Sequence, residues 1–168
     1  GFEQERAGWS GETIMSQVTA EAAYEGQFGL RVKDDDKKAG SSFRSQSLPV
    51  KPETAYALRF HARNSGNRGA VGAYLQFFDA AGKQLNAPGR YPEIILPVPV
   101  TKDWQPFTLV GKAPAEAVTA SIWIHSFNGA TGMTDFDNFT LSELSPEEEK
   151  TVSSTPVATA ISRRFPPI

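Results

Sequence analysis

Apolar side chains recur at every second position along most of the chain, which is the period of a β-strand with one buried face. The three-four spacing of an amphipathic helix is rare. Nine segments have the strand pattern and are separated by Gly, Pro, Asn and Asp: residues 13–19, 28–33, 42–47, 55–64, 71–79, 93–97, 105–112, 119–127 and 136–143. Residues 80–83 between two of them predict a tight hairpin turn. Short strands at this spacing predict an all-β fold, a two-sheet antiparallel β-sandwich.

The strand pattern stops after Leu144. A Ser-Pro pair and three Glu follow, and then a stretch of Ser, Thr, Pro and Ala. A short helical turn over residues 146–150 is predicted with Ser145 as its N-cap, whereas the remainder lacks the apolar content to fold alone. We therefore predict a β-sandwich domain over residues 1–144 and a linker or tail towards a neighbouring domain over residues 145–168.

Composition and charge exclude several classes of function. The chain has 17 Lys and Arg against 19 Asp and Glu, so it lacks the basic excess of a nucleic-acid-binding domain. No apolar run approaches the roughly 20 residues needed to span a bilayer, and no membrane partner is expected. The absence of Cys excludes disulfides, thiolate catalysis and Cys-ligated metals, but leaves the cellular compartment open.

Alternation within three strands sorts their side chains into a core-facing set and an outward set. The core-facing sets are aliphatic-rich, whereas the outward sets mix aromatic, basic and amide side chains. The outward residues are Arg59, His61 and Arg63 in the first strand, Tyr74 and Gln76 in the second, and Trp123 and His125 in the third. The agreement between the three strands predicts one concave sheet face that carries all of them.

A face of this composition is suited to a polysaccharide. The flat C–H patches of sugar rings stack on Trp and Tyr, and their hydroxyl groups pair with Arg, His and Gln. Trp123 is the predicted stacking platform and Tyr74 its partner. The predicted hydrogen-bonding neighbours are Arg59, His61, Arg63, Gln76 and His125, and Tyr91 in the Pro-rich loop could close over the ligand. The alternative is a purely structural role, in which Trp123 closes one end of the core and the histidines are ordinary surface residues.

Several motifs occur in an order that resembles a known family. They are residues 1–3 (GFE), 8–9 (GW), 26–32 (GQFGLRV), 50–58 (VKPETAYAL), 103–114, which begins with Asp-Trp and ends with Ala-Pro, and 134–141 (TDFDNFTL). Together they resemble the jelly-roll carbohydrate-binding modules of families four, nine and twenty-two over roughly residues 1–144. The resemblance implies a non-catalytic module that targets a larger, secreted or cell-surface bacterial enzyme to its glycan, with the catalytic domain in the same polypeptide.

The resemblance also implies a structural calcium ion away from the sugar site. The matching positions are Glu3, Asp137 and a backbone carbonyl near Gly26, with Asp135 as a substitute if the register shifts by two. Calcium takes six to eight oxygen ligands, carboxylates and carbonyls among them. The family pattern places Trp9 and Trp104 among core aromatics.

Two other classes of function stay open. Arg59, His61, Arg63, Tyr74 and His125 could form a polysaccharide lyase site, in which Arg neutralises a uronate and Tyr or His moves a proton. The predicted face lacks the two acids of a hydrolase. The face could instead dock on a neighbouring catalytic domain. The glycan is not identified: Arg59 and Arg63 favour an acidic or sulfated polymer, while neutral β-glucan or xylan is also compatible.

Overall fold

A computed structural model describes residues 1–66, 71–87, 93–127, 129 and 131–154. Its strands are β1 (Trp9–Gly11), β2 (Ser16–Thr19), β3 (Gly29–Asp34), β4 (Ser42–Ser45), β5 (Leu48–Pro49), β6 (Ala55–Asn64), β7 (Val71–Phe78), β8 (Ile94–Pro97), β9 (Gln105–Lys112), β10 (Thr119–Ser126) and β11 (Gly132–Glu143). A 3-10 turn spans Ala20–Ala22, and helix α1 spans Pro146–Ser154.

The strands form two antiparallel sheets. The six-stranded sheet has the order β1-β4-β10-β7-β8, with β5 paired to β10, and the five-stranded sheet has the order β2-β3-β11-β6-β9. The predicted all-β two-sheet antiparallel sandwich, the jelly roll, is thus confirmed. All nine predicted strands are present, and each observed end lies within four residues of its predicted position. The prediction missed β1 and β5, because strands of three and two residues are too short to show alternation.

The core lies between the two sheets and consists of the alternating apolar positions. Its largest fully buried side chains include Leu30, Phe43, Leu58, Phe60, Leu75, Phe77, Ile124 and Phe136. The predicted core parity of β6, β7 and β10 is therefore correct. Trp9 packs on this core, stacked on Phe43 with ring centroids 5.8 Å apart, as the family pattern implied.

Two local predictions about turns and caps are also confirmed. The Asp79 carboxylate accepts hydrogen bonds from the amides of Ala81 and Lys83, each at 2.9 Å, which closes the turn after β7. Ser145 caps α1: its hydroxyl accepts from the Glu148 amide, while the Glu148 carboxylate accepts from the Ser145 amide. This reciprocal capping box begins a helix longer than the predicted turn. None of the described helices is long and apolar enough to cross a membrane.

Candidate functional site

The residues predicted to share one face are divided between two sheets. Strand β6 belongs to the five-stranded sheet, whereas β7 and β10 lie in the six-stranded sheet. Because all three strands point their apolar sides into the common core, the polar side of β6 faces away from the polar sides of β7 and β10, on the opposite side of the sandwich. Arg59, His61 and Arg63 therefore lie on the opposite side of the molecule from Trp123. The prediction of a single face was wrong, since alternation gives the side of a strand but not its sheet.

The outer face of the six-stranded sheet carries the aromatic and polar cluster; we call it the aromatic face. Strand pairing places Arg44, Trp123, Tyr74 and Ile95 in one row across β4, β10, β7 and β8. His125 lies in the next row, opposite Gly72. Gly72 has no side chain, and the side chain of Ile95 lies close to the position that a Cβ there would take. Described residues of four strands thus contribute to one continuous surface.

Trp123 is half-buried at the centre of the aromatic face. Its ring stacks on His125 with centroids 4.3 Å apart and an interplanar angle of 14°, and Tyr74 lies at 4.8 Å. The indole Nε1 donates a hydrogen bond to the Ser42 hydroxyl at 2.9 Å. These contacts fix the indole in one orientation, which lowers the conformational entropy that it would lose on binding a ligand.

The orientation of His125 is set by one backbone group. Its Nδ1 lies 2.5 Å from the carbonyl oxygen of Ser41. A carbonyl only accepts, so Nδ1 carries the proton in this contact, and Nε2 of the neutral ring is left as an acceptor. A sugar hydroxyl is a donor of the kind that this nitrogen pairs with.

Arg44 lies on the aromatic face beside Trp123 and was missed by the sequence analysis. Its guanidinium carbon lies 5.3 Å from the centroid of the indole ring, within cation–π range. Nη1 donates to the Gln76 side-chain oxygen and, at 3.2 Å, to the Ser121 hydroxyl. Burial lowers the pKa of the guanidinium. The alternation of β4 could have indicated Arg44: Phe43 is apolar and points into the core, so the next residue, Arg44, points to the outer face.

Tyr74 and Gln76 lie on the aromatic face but are buried, with exposed fractions of 5% and 3%. Burial, and secondly the negative charge of Glu93, raise the pKa of the Tyr74 phenol. Gln76 is held by Arg44. Tyr74 therefore packs against Trp123, and Gln76 accepts a hydrogen bond from Arg44. Direct contact of either side chain with a ligand stays a prediction.

The outer face of the five-stranded sheet is organised around a buried carboxylate; we call it the ion-pair face. Asp135 pairs with Arg31 (Nε to Oδ1, 2.8 Å) and with Arg63 (Nε to Oδ2, 2.9 Å). Arg31 also contacts Glu21 at 2.6 Å. The guanidinium of Arg63 lies 4.9 Å from the Trp104 ring centroid. Arg63 is thus committed to an internal network rather than presented to a ligand.

The remaining residues of the ion-pair face are likewise engaged with the protein. His61 stacks on Tyr24 with centroids 3.9 Å apart, and Arg59 donates to the Ser142 hydroxyl at 2.7 Å. A shallow cavity of about 400 Å³ opens beside Arg59 and His61 at the β11 bulge. Trp104 is half-buried on this face, next to Tyr24, and is not part of the core that the family pattern implied. Tyr91 lies outside the described residues.

The predicted calcium ligands converge on one loop. Asp137 Oδ2 accepts from the amides of Tyr24 and Glu25 at 2.9 and 3.2 Å, and Glu3 accepts from the amides of Gln27 and Phe28. Gly26 between them has a φ of 75°, a backbone conformation that favours glycine, and a Cβ there would displace the Glu3 carboxylate.

These amide hydrogen bonds give both carboxylates partners within the protein. Within the described part of the chain, no group of three or more acidic or histidine side chains is arranged to hold an ion. Asp135 is occupied by its two arginines. The calcium ion stays a prediction.

Comparison with known proteins identifies the fold. No family model and no curated protein matches the sequence, but solved structures do. A "Family 16 Carbohydrate Binding Module-2" is 21% identical with a TM-score of 0.64, over 84% of this chain and 95% of that chain. Modules of families 22 and 4, two of the families that the sequence resembles, are also similar, with TM-scores of 0.57 and 0.54. At these identities the likeness shows the shared jelly-roll fold.

Two further structures are longer proteins of which the chain spans a small part. One comprises the CBM22-1 and GH10 modules of a Clostridium thermocellum xylanase with xylohexaose (16% identity, TM-score 0.58), in which the match covers 86% of this chain and 28% of that one. The other is the enzymatically active domain of bacteriophage CBA120 tailspike protein 4 (17% identity, TM-score 0.68), in which the match covers 86% and 20%. Structures with this fold thus include both separately solved modules and parts of longer chains.

Proposed function

We propose that this chain is a non-catalytic carbohydrate-binding module that binds its glycan on the aromatic face. The observation that carries the proposal is the Trp123 cluster: an aromatic ring half-exposed on the outside of a sheet, fixed by Ser42 and His125, and bordered by a cation. A ring held there offers a rigid apolar plane at low entropic cost, and its polar neighbours pair with hydroxyl groups.

The proposal includes the setting of the module. In the xylanase structure a module of this fold accompanies a GH10 module. The segment after β11 begins with a capped helix, α1. We infer that the chain serves a secreted or cell-surface bacterial enzyme, with the catalytic domain in the same polypeptide, and delivers it to an insoluble or polymeric glycan.

A lyase is less well supported, for a geometric reason. The residues that could have formed its site are split between the faces: Arg59, His61 and Arg63 lie on the ion-pair face, and Tyr74 and His125 on the aromatic face. The arginines predicted for a lyase therefore cannot neutralise a uronate whose proton is removed on the aromatic face. Arg44 does lie on that face, but the Tyr74 phenol beside it is only 5% exposed, which is unfavourable for proton transfer to a bound polymer. Release of unsaturated, ultraviolet-absorbing product by the isolated chain would contradict the non-catalytic assignment.

The test compares two tryptophan variants in affinity gels that contain plant, algal or bacterial polysaccharides. Trp123→Ala removes the aromatic plane and is expected to weaken retardation by about fivefold to 150-fold, if a sugar ring gains the roughly 1–3 kcal/mol that a nucleic-acid base gains by stacking on an aromatic side chain. Trp104→Ala removes the same side chain from the opposite face and serves as the matched control with unchanged retardation. Loss of binding by Trp104→Ala alone would assign the site to the ion-pair face, and no retardation by any glycan would favour a docking domain.

A further inference from the structure

The partly buried arginines of the two sheets have different hydrogen-bond partners. On the ion-pair face, Arg31 and Arg63 share the carboxylate of Asp135. On the aromatic face, Arg44 has only neutral acceptors, Gln76 and Ser121, and no described acidic side chain lies within ion-pair distance. A cation that is partly removed from water without a counter-ion is destabilising. The fold therefore carries an uncompensated positive charge on the aromatic face.

The guanidinium of Arg44 presents an unused edge. Both hydrogen bonds that it makes within the described residues come from Nη1, so Nε and Nη2 donate to no group there. These two nitrogens form the edge that binds a carboxylate with two parallel hydrogen bonds. Arg31 in the same protein uses that edge on Asp135, with Nε and Nη2 at 2.8 and 3.0 Å from the two carboxylate oxygens.

The surroundings of Arg44 suit a sugar that bears an anion. Its guanidinium lies 5.3 Å from the centroid of the Trp123 ring, so a sugar in contact with Trp123 would have its substituents close to the free edge. Glu93 precedes β8, which is three strands from β4 in the sheet order, or about 14 Å at ordinary strand spacing. Glu93 is therefore not placed to form an ion pair with Arg44.

We propose that the glycan bound on the aromatic face carries an anionic substituent, a uronate carboxylate or a sulfate ester, which Arg44 holds through Nε and Nη2. The proposal rests on the proposed function and adds the chemical class of the ligand. The sequence also predicted an acidic polymer, but on the ground of Arg59 and Arg63. Arg44 takes their place in the proposal, because Arg63 is neutralised by Asp135 and Arg59 faces away from the aromatic cluster.

The test begins with the unmodified protein. A glycan array of polygalacturonate, alginate, glucuronoxylan and carrageenan, with neutral xylan, galactan and glucomannan, identifies the backbone. Isothermal titration calorimetry then compares the bound acidic polymer with its carboxyl-reduced or desulfated form, which distinguishes the two sources of charge. We expect the anionic form to bind about tenfold more tightly or better, since hydrogen bonds to charged groups are among the strongest.

Two variants localise the effect. Arg44→Gln is expected to lower affinity for the anionic form to that of the neutral form, while Arg59→Gln, the same charge change on the ion-pair face, leaves the preference intact. Melting curves verify that both variants fold. The comparison of anionic and neutral polymers uses the unmodified protein and does not depend on either variant. Equal binding of anionic and neutral forms, or an equal loss of both in Arg44→Gln, overturns the proposal and leaves the proposed function standing. Absence of binding to every polymer overturns both.

Discussion

Asp135→Asn tests the assignment of the ion-pair face to stability rather than to binding. The Asp135 side chain is only 3% exposed and touches two guanidinium groups, those of Arg31 and Arg63. The substitution keeps the shape of the side chain but removes its charge. It leaves Arg63 without the carboxylate of Asp135, and Arg31 with only the exposed carboxylate of Glu21. The loss is thus one of electrostatics and hydrogen bonding rather than of packing.

The size of the effect follows from burial. Breaking a fully buried ion pair costs about 3–5 kcal/mol. Arg31 and Arg63 are 19% and 35% exposed, and water screens part of this penalty, so we expect a loss of about 2–3 kcal/mol. For a chain of this length that corresponds to a fall in Tm of roughly 5–10 °C.

Scanning calorimetry and affinity gels provide the two measurements. Glu21→Gln is the matched control, because Glu21 also contacts Arg31 but its side chain is 77% exposed; its loss should stay within about 0.5 kcal/mol. Glycan binding should survive in both variants. An unchanged Tm in Asp135→Asn together with lost glycan binding would refute the assignment and return Arg63 to the ligand site.

Three further predictions follow from the same geometry. Trp9→Ala should destabilise the fold by about 2–3 kcal/mol in urea unfolding, because Trp9, although half-buried, packs against the core. Trp104→Ala should lose about 1–2 kcal/mol, because Trp104 is half-buried away from that core; equal losses would contradict this ranking. If calcium binds near Glu3 and Asp137, chelator should lower the Tm and added calcium restore it by mass action, while an unchanged Tm would indicate that the amide hydrogen bonds alone hold the loop. The raised pKa of Tyr74 means that the folded state retains a proton that the unfolded chain loses above about pH 10, so stability should fall as pH rises beyond that value. Tyr74→Phe should reduce that fall, and an identical high-pH slope in the variant would argue against a buried phenol.

Strand positions and core-facing residues were predictable because they depend on local information. The alternation in residues 55–64 is a property of consecutive side chains, and the observed strand β6 has the same bounds. The Ser145 cap and the turn after Asp79 likewise depend on neighbours within a few residues. Arg44 was within reach of the same reasoning, since it follows Phe43 in a four-residue strand, but so short a strand gives a weak signal.

The sequence by itself determined which residues form strands and which side of each strand enters the core, because the period of a strand and the aversion of apolar groups to water act locally. Only the tertiary structure decided which strands share a sheet. That choice depends on pairing between distant segments, such as β10 with β4 and β7, and alternation carries no information about it. It separates Arg63 from Trp123, gives Arg63 the carboxylate of Asp135, and leaves Arg44 without one.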